Sequence, residues 1–209
     1  MDVGTGRKGG SAAPRAWQRM LSGRRLDLLD PRPADIEIAD IAHGLARVAR
    51  WNGQTVGEHA FSVAQHALVV EDIFSACHAN ASREARLAAL LHDAPEYVVG
   101  DLISPFKAAV GLNYKAFELR LLEAIHRRFA IAPVLPEATS AAIKAADRVA
   151  AYYEATLLAG FSVAEGERYF GRPEALPQAL RGRLEALAPW PTGEAQARFL
   201  SRFSALADA

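Results

Sequence analysis

Apolar positions recur along this chain at helical spacing, three or four residues apart, and seldom alternate as they would in half-buried strands. Ile41, Leu45 and Val48 lie on one face of a helix expected over Ile41–Trp51, with Asp40 as its N-cap and Asn52-Gly53 as its stop. A second helix is expected from Glu58 or Ser62 to about His78, carrying Val63, Val70 and Ile73. Ser82 caps a third, Arg83 to Asp93, with Leu87, Leu90 and Leu91 apolar and Pro95 ending it. Ser104-Pro105 reads as a cap followed by proline at the first helical position. Tyr114 to Phe129 is amphipathic through Phe117, Leu121, Leu122, Ile125 and Phe129. A further helix opens at Thr139 or Ser140 and closes at Gly160, and two more are expected around Glu174–Ala188 and Glu194–Ala207. The fold class is all-α: a helical bundle over residues 17–209, preceded by a tail of residues 1–16.

Composition narrows the function more than the fold. The 209 residues hold 24 Lys plus Arg and 24 Asp plus Glu, a balance that argues against a nucleic-acid backbone as main partner. It does not argue against a small anion. The single Cys77 cannot form an internal disulfide and reads as a small core residue of a cytoplasmic protein. No apolar run approaches the roughly 18 residues of a membrane span, and the first residues lack the apolar stretch of a secretory signal.

Candidate chemistry centres on Leu90-Leu91-His92-Asp93-Ala94-Pro95-Glu96. An imidazole and a carboxylate stand side by side at a helix end, where both can reach one ion, and the preceding apolar run makes an uncompensated Asp costly. Asp147 lies inside the apolar helix segment Lys144–Ala150, paired either with an Arg or with the same ion. A second histidine is required upstream, and His59 and His66 compete for the role. From Ser82 to His92 is about ten residues, or roughly 15 Å of helix; from His66 to the turn is roughly 18 Å and from His59 roughly 28 Å. An antiparallel pair thus brings His66 level with His92. His59, seven residues earlier on the same helical face, falls toward an entering phosphate. Two nitrogens and two oxygens suit one divalent ion such as Mn, Fe, Co, Ni or Zn, with Mg admissible. Glu96 and Asp101 are carboxylates placed for proton transfer, although Glu96 also suits a helix start and Asp101 a turn. His43, Arg47 and Arg50 share one stripe of the first helix. Arg50-Trp51 offers a charge and a stacking plane, and Lys107 is another cation.

This set resembles the H…HD…D signature of HD-superfamily phosphohydrolases, in His66, His92-Asp93 and Asp147. The local sequence is similar to bacterial HD-type 5′-deoxynucleotidases: Arg50-Trp51, then a V-S-E-H-S-like motif echoed by both Val63–Ala67 and Val56–Ala60. H-D-A-x-E follows at His92–Glu96, G-D-L at Gly100–Leu102, P-x-K at Pro105–Lys107 and A-D at Ala146-Asp147. The resemblance covers about Asp40 to Gly160, and nothing after Gly160 matches a motif. It implies an all-α HD domain, a divalent metal and hydrolysis of a nucleotide phosphate ester, with a (deoxy)nucleoside 5′-monophosphate as first choice. Deoxynucleoside triphosphate hydrolysis and a non-catalytic nucleotide-binding module are the alternatives. It makes Glu96 and Asp101 the acid/base and orienting groups, and Arg50, Trp51, His59 and Lys107 the nucleotide contacts. It also leaves room for a homodimer.

Overall fold

The computed structural model describes residues 16–101, 114–173 and 176–208. A short antiparallel hairpin opens it, β1 (Trp17–Arg19) paired with β2 (Arg25–Asp27). The period-3.6 reading missed this element, whose three-residue strands are too short to show alternation. Helices follow: α1 (Ile38–Leu45), α2 (Val63–Cys77), α3 (Arg83–Leu90), α4 (Glu96–Val99), α5 (Tyr114–Arg128), α6 (Glu137–Leu157), α7 (Val163–Phe170), α8 (Gln178–Glu185) and α9 (Thr192–Ala207). The all-α expectation holds. Among the described residues no helix is long and apolar enough to cross a membrane.

The bundle is built around α2. Ser62 caps it, accepting from the Gln65 N–H, so of the two expected starts the chain uses the second. Every residue from Val63 to Glu71 is buried, because α6, α3 and α9 pack on different sides of it. Small residues let α6 approach: Ala146, Ala150, Ala151 and Ala155 are all buried. The one acid in this buried run, Glu71, accepts from Ser75, Arg86 and Arg202, which compensates its loss of water.

Several local expectations are corrected. Asp40 is not the α1 cap, since α1 starts two residues earlier. Asp40 is buried and accepts from both the backbone and the hydroxyl of Ser22, tying the hairpin to the bundle. The helix expected to reach Trp51 stops at Leu45, and Arg50–Gly53 forms a separate turn in which Trp51 (φ 56°) and Asn52 (φ 51°) adopt left-handed backbone. Cys77 is exposed at the end of α2, not in the core. α6 opens at Glu137, directly after Pro136, and not at Thr139 or Ser140. The helix expected over Glu174–Ala188 is shorter, Gln178–Glu185. The Ser162–Glu165 capping box starts α7, a helix absent from the expectations. The helix expected at Ser104-Pro105 lies outside the described residues.

Candidate metal centre

Three segments converge beside α2. The first is the Arg50 turn. Its backbone is clamped to the start of α2, with Arg50 N–H donating to Phe61 O at 2.8 Å and Val63 N–H to Val48 O at 3.0 Å. The second is the turn between α3 and α4. Ser82 caps α3 as expected, but the helix ends at Leu90, ahead of His92 and Asp93. The His92 ring bonds Ala89 O at 2.8 Å through Nδ1. A carbonyl oxygen only accepts, so Nδ1 carries a hydrogen and Nε2 is the nitrogen left to face an ion. The third is α6, which supplies Asp147 and, seven residues on, Glu154. Two turns of helix separate them, so both face the same way about 10 Å apart.

The length argument for His66 holds: His66 Nε2 and His92 Nε2 are 3.3 Å apart. Asp147 Oδ1 is 3.2 Å from His66 Nε2, and Asp93 Oδ2 is 3.5 Å from His66 Nε2 and 3.2 Å from His92 Nε2. Ligand atoms of His66, His92 and Asp147 fall within 4.8 Å of one another, close enough to share an ion. The cluster is graded in depth. His66 and Glu154 side chains are fully buried, whereas Asp93 and Asp147 retain 24% and 37% exposure, so the centre opens toward Asp147.

His59 is not in the ligand cluster. It lies in the loop before Ser62, so the premise that it shares a helical face with His66 fails. That loop is held elsewhere: Val56 N–H donates to Leu158 O, and Gly57 (φ 109°) packs on Pro189. Arg47 is exposed and turned away, donating to His43 O and Gln196. Lys107 lies outside the described residues. Glu96 is buried on the first turn of α4, and Asp101 is half-buried just beyond it. Half-buried Trp51 packs its ring against Phe161 and Phe170, and its indole N–H donates to Glu154 at 3.0 Å.

Glu154 went unrecognised in the sequence. One of its oxygens is 2.5 Å from His66 Nδ1, and the other accepts from Arg50 Nε at 3.0 Å and from Trp51. The available signal was an acid two turns beyond Asp147 in the apolar run Val149–Leu157.

The electrostatics favour a cation. With Arg50 paired to Glu154 and both imidazoles neutral, Asp93 and Asp147 are excess negative charge, which draws either protons onto the histidines or a cation between them. Burial and the Arg50 charge oppose protonation of His66, yet Glu154, Asp147 and Asp93 outweigh them and hold its pKa well above the ordinary value. His92 is also raised, burial being overcome chiefly by Asp93. Burial acts to raise Asp93, but the two imidazoles hold it well below the usual carboxylate range. Burial likewise opposes ionisation of Glu154, which Arg50 and His66 nonetheless lower to about 2. Two imidazole nitrogens and two carboxylates in a negative pocket fit a borderline divalent ion.

Comparison with known proteins identifies a family. The family model described as 5′-deoxynucleotidase YfbR-like matches residues 39–160, a span holding Arg50, His66, His92, Asp93, Glu96, Asp101, Asp147 and Glu154. An uncharacterized protein of Rhodobacter capsulatus is 57% identical over 192 residues, covering 92% of this chain and 96% of its own. The uncharacterized protein YfdR of Escherichia coli is 29% identical over 174 residues, covering 83% of this chain and 86% of its own. The chain belongs to the YfbR-like 5′-deoxynucleotidase family, within the HD superfamily of nucleotide phosphohydrolases.

Proposed function

We propose that this chain hydrolyses the phosphate ester of a deoxynucleoside 5′-monophosphate, using one divalent ion held by His66, His92, Asp93 and Asp147. The observation that carries the reading is the meeting of His66 Nε2, His92 Nε2, Asp93 and Asp147 in a carboxylate-rich recess next to the largely buried guanidinium of Arg50.

When bound there, a divalent ion supplies Lewis acidity toward phosphoryl oxygen and lowers the pKa of a coordinated water. The chain does the rest. Arg50 stays charged at any working pH: burial opposes its charge, but Glu154, Asp93, Asp101 and Asp147 raise its pKa further. Its Nη1 end reaches to 3.6 Å from Asp93, next to the proposed ion site. A planar guanidinium can bind two of that group's oxygens at once and stabilise charge gathering on them. Glu96 follows Asp93 by three residues and is buried in the first turn of α4. There it takes the proton of the attacking water or returns one to the departing nucleoside oxygen. Asp101, within electrostatic reach of Arg50, orients the substrate or shares the proton transfer.

The test is a product assay. Purified protein with Mn(II) or Co(II) is given each deoxynucleoside mono- and triphosphate, with orthophosphate and tripolyphosphate measured separately. The reading expects orthophosphate and nucleoside from monophosphates. Tripolyphosphate from triphosphates would replace it with a triphosphohydrolase. No turnover on either class, in metal-loaded protein, would leave only the nucleotide-binding module.

A further inference from the structure

The buried carboxylate of Glu154 is not one of the candidate ion ligands, yet it meets three donors of the candidate site. Oε1 meets His66 Nδ1 at 2.5 Å, while Oε2 accepts from Arg50 Nε and Trp51 Nε1, each at 3.0 Å. The side chain is fully buried. Burying a carboxylate is costly, and a hydrophobic residue of similar size would often serve stability as well. Two further features argue for more than an ion pair. The backbone of Trp51 and Asn52 is left-handed in two successive non-glycine residues, a conformation that persists only where surroundings enforce it. That turn folds the indole N–H back onto the oxygen that holds Arg50. The two oxygens of Glu154 also divide their work, one serving a candidate metal ligand and the other a candidate phosphate-binding cation.

We infer that Glu154 is a positioning residue that fixes the His66 ring with hydrogen on Nδ1 and Nε2 facing the ion, and at the same time fixes the Arg50 guanidinium toward the phosphoryl site. Metal affinity and substrate affinity therefore share one support. This rests on the metal-centre reading above. Histidine ligands are commonly oriented by a carboxylate in this way, and loss of such a partner weakens metal binding about 10–100-fold. The added element is that the same carboxylate also holds the arginine.

Glu154→Gln tests it. Glutamine keeps the shape but has one acceptor oxygen, so its amide NH2 must face either His66 Nδ1 or the Arg50 and Trp51 donors. Dissociation constants for Mn(II) and Co(II) are measured by calorimetry on the folded wild type and variant, alongside KM and kcat. The expected result is a 10–100-fold weaker metal constant together with a raised KM at saturating metal, and partial recovery of both in Glu154→Asp. A variant with lowered Tm but wild-type metal constant and KM would reduce Glu154 to a structural ion pair and overturn the inference. If the glutamine variant does not fold, long-range proton–nitrogen NMR of the zinc-loaded wild type decides. A proton on His66 Nδ1 supports the inference, and a proton on Nε2 overturns it. Wild-type protein that binds neither ion would overturn the metal-centre reading as well, a result distinct because it appears in the wild-type arm alone.

Discussion

Gly44 lies inside α1, where glycine is about 1 kcal/mol less favourable than alanine. Its position is explained by α4. A Cβ built on Gly44 would stand 2.7 Å from Tyr97 Cβ and 3.0 Å from Tyr97 O. Carbon contacts begin at about 3.5 Å, so Gly44→Ala requires α4 to retreat by about 0.8 Å. The obstruction is Cβ and backbone, not a ring that can rotate, and Tyr97 is itself buried. Overpacking of this kind costs roughly 1–3 kcal/mol. Subtracting the propensity gain leaves a net loss of about 0–2 kcal/mol, or a Tm drop of up to roughly 8 °C for a chain of this length. The retreat also carries Glu96, the residue before Tyr97. Misplacement near 1 Å at a reacting centre costs about 100-fold in rate, so kcat should fall tenfold or more with the metal constant little changed. Thermal melts and phosphate-release kinetics measure both. Gly182 in α8 is the control: nothing lies within 4 Å of its added Cβ, so Gly182→Ala should stabilise by up to about 1 kcal/mol. Tyr97→Phe should not rescue Gly44→Ala, because it leaves Cβ in place. A Gly44→Ala protein stabilised like Gly182→Ala, with unchanged kcat, would refute the close approach and the placement of Glu96 that depends on it.

Two other predictions follow from single residues. Glu96→Gln should lower kcat by roughly 10²–10⁴-fold while the folded protein still binds one metal ion, measured by turnover and metal analysis on the same sample. His126 is buried, bonded through Nδ1 to Ala132 O, and burial lowers its pKa below the ordinary value. The folded state therefore binds fewer protons than the unfolded one in a window just below about pH 6.5, and the stability it contributes is lost as pH falls through that window. Urea melts should show a steeper loss of stability between pH 7.5 and 5 in wild type than in His126→Gln, and parallel profiles would contradict this.

What the sequence made legible, and what it hid, follows physical lines. Ser62 and Ser82 are caps because a hydroxyl before an apolar run accepts from the helix start. Ser62 is one of two starts the sequence allows, whereas the Ser82 cap and the turn after His78 are enough for rise per residue to place His66 opposite His92. Asp147 stood out as an acid in an alanine-rich face. Features set by tertiary contact were hidden. Asp40 has the chemistry of a cap but is used across 18 residues by Ser22. His59 has the motif of a ligand, yet the helix begins after it. Trp51 looked like a stacking plane, and packing by Phe161 and Phe170 depends on a left-handed turn that no period reveals. Glu154 was hidden because nothing local marks a buried acid as serving residues 88 and 104 positions away. The S-x-x-E signal at Ser162–Glu165 was readable and marks α7.

The central claim is that His66, His92, Asp93 and Asp147 together hold one divalent ion on which hydrolysis depends. Metal content per folded chain, measured for wild type and Asp93→Ala beside orthophosphate release from deoxynucleoside monophosphates, tests it most directly. The account predicts one ion per wild-type chain, and loss of both ion and turnover in Asp93→Ala with the helical circular-dichroism signal intact. Retained turnover in Asp93→Ala, or wild-type turnover unaffected by exhaustive chelation, would contradict it.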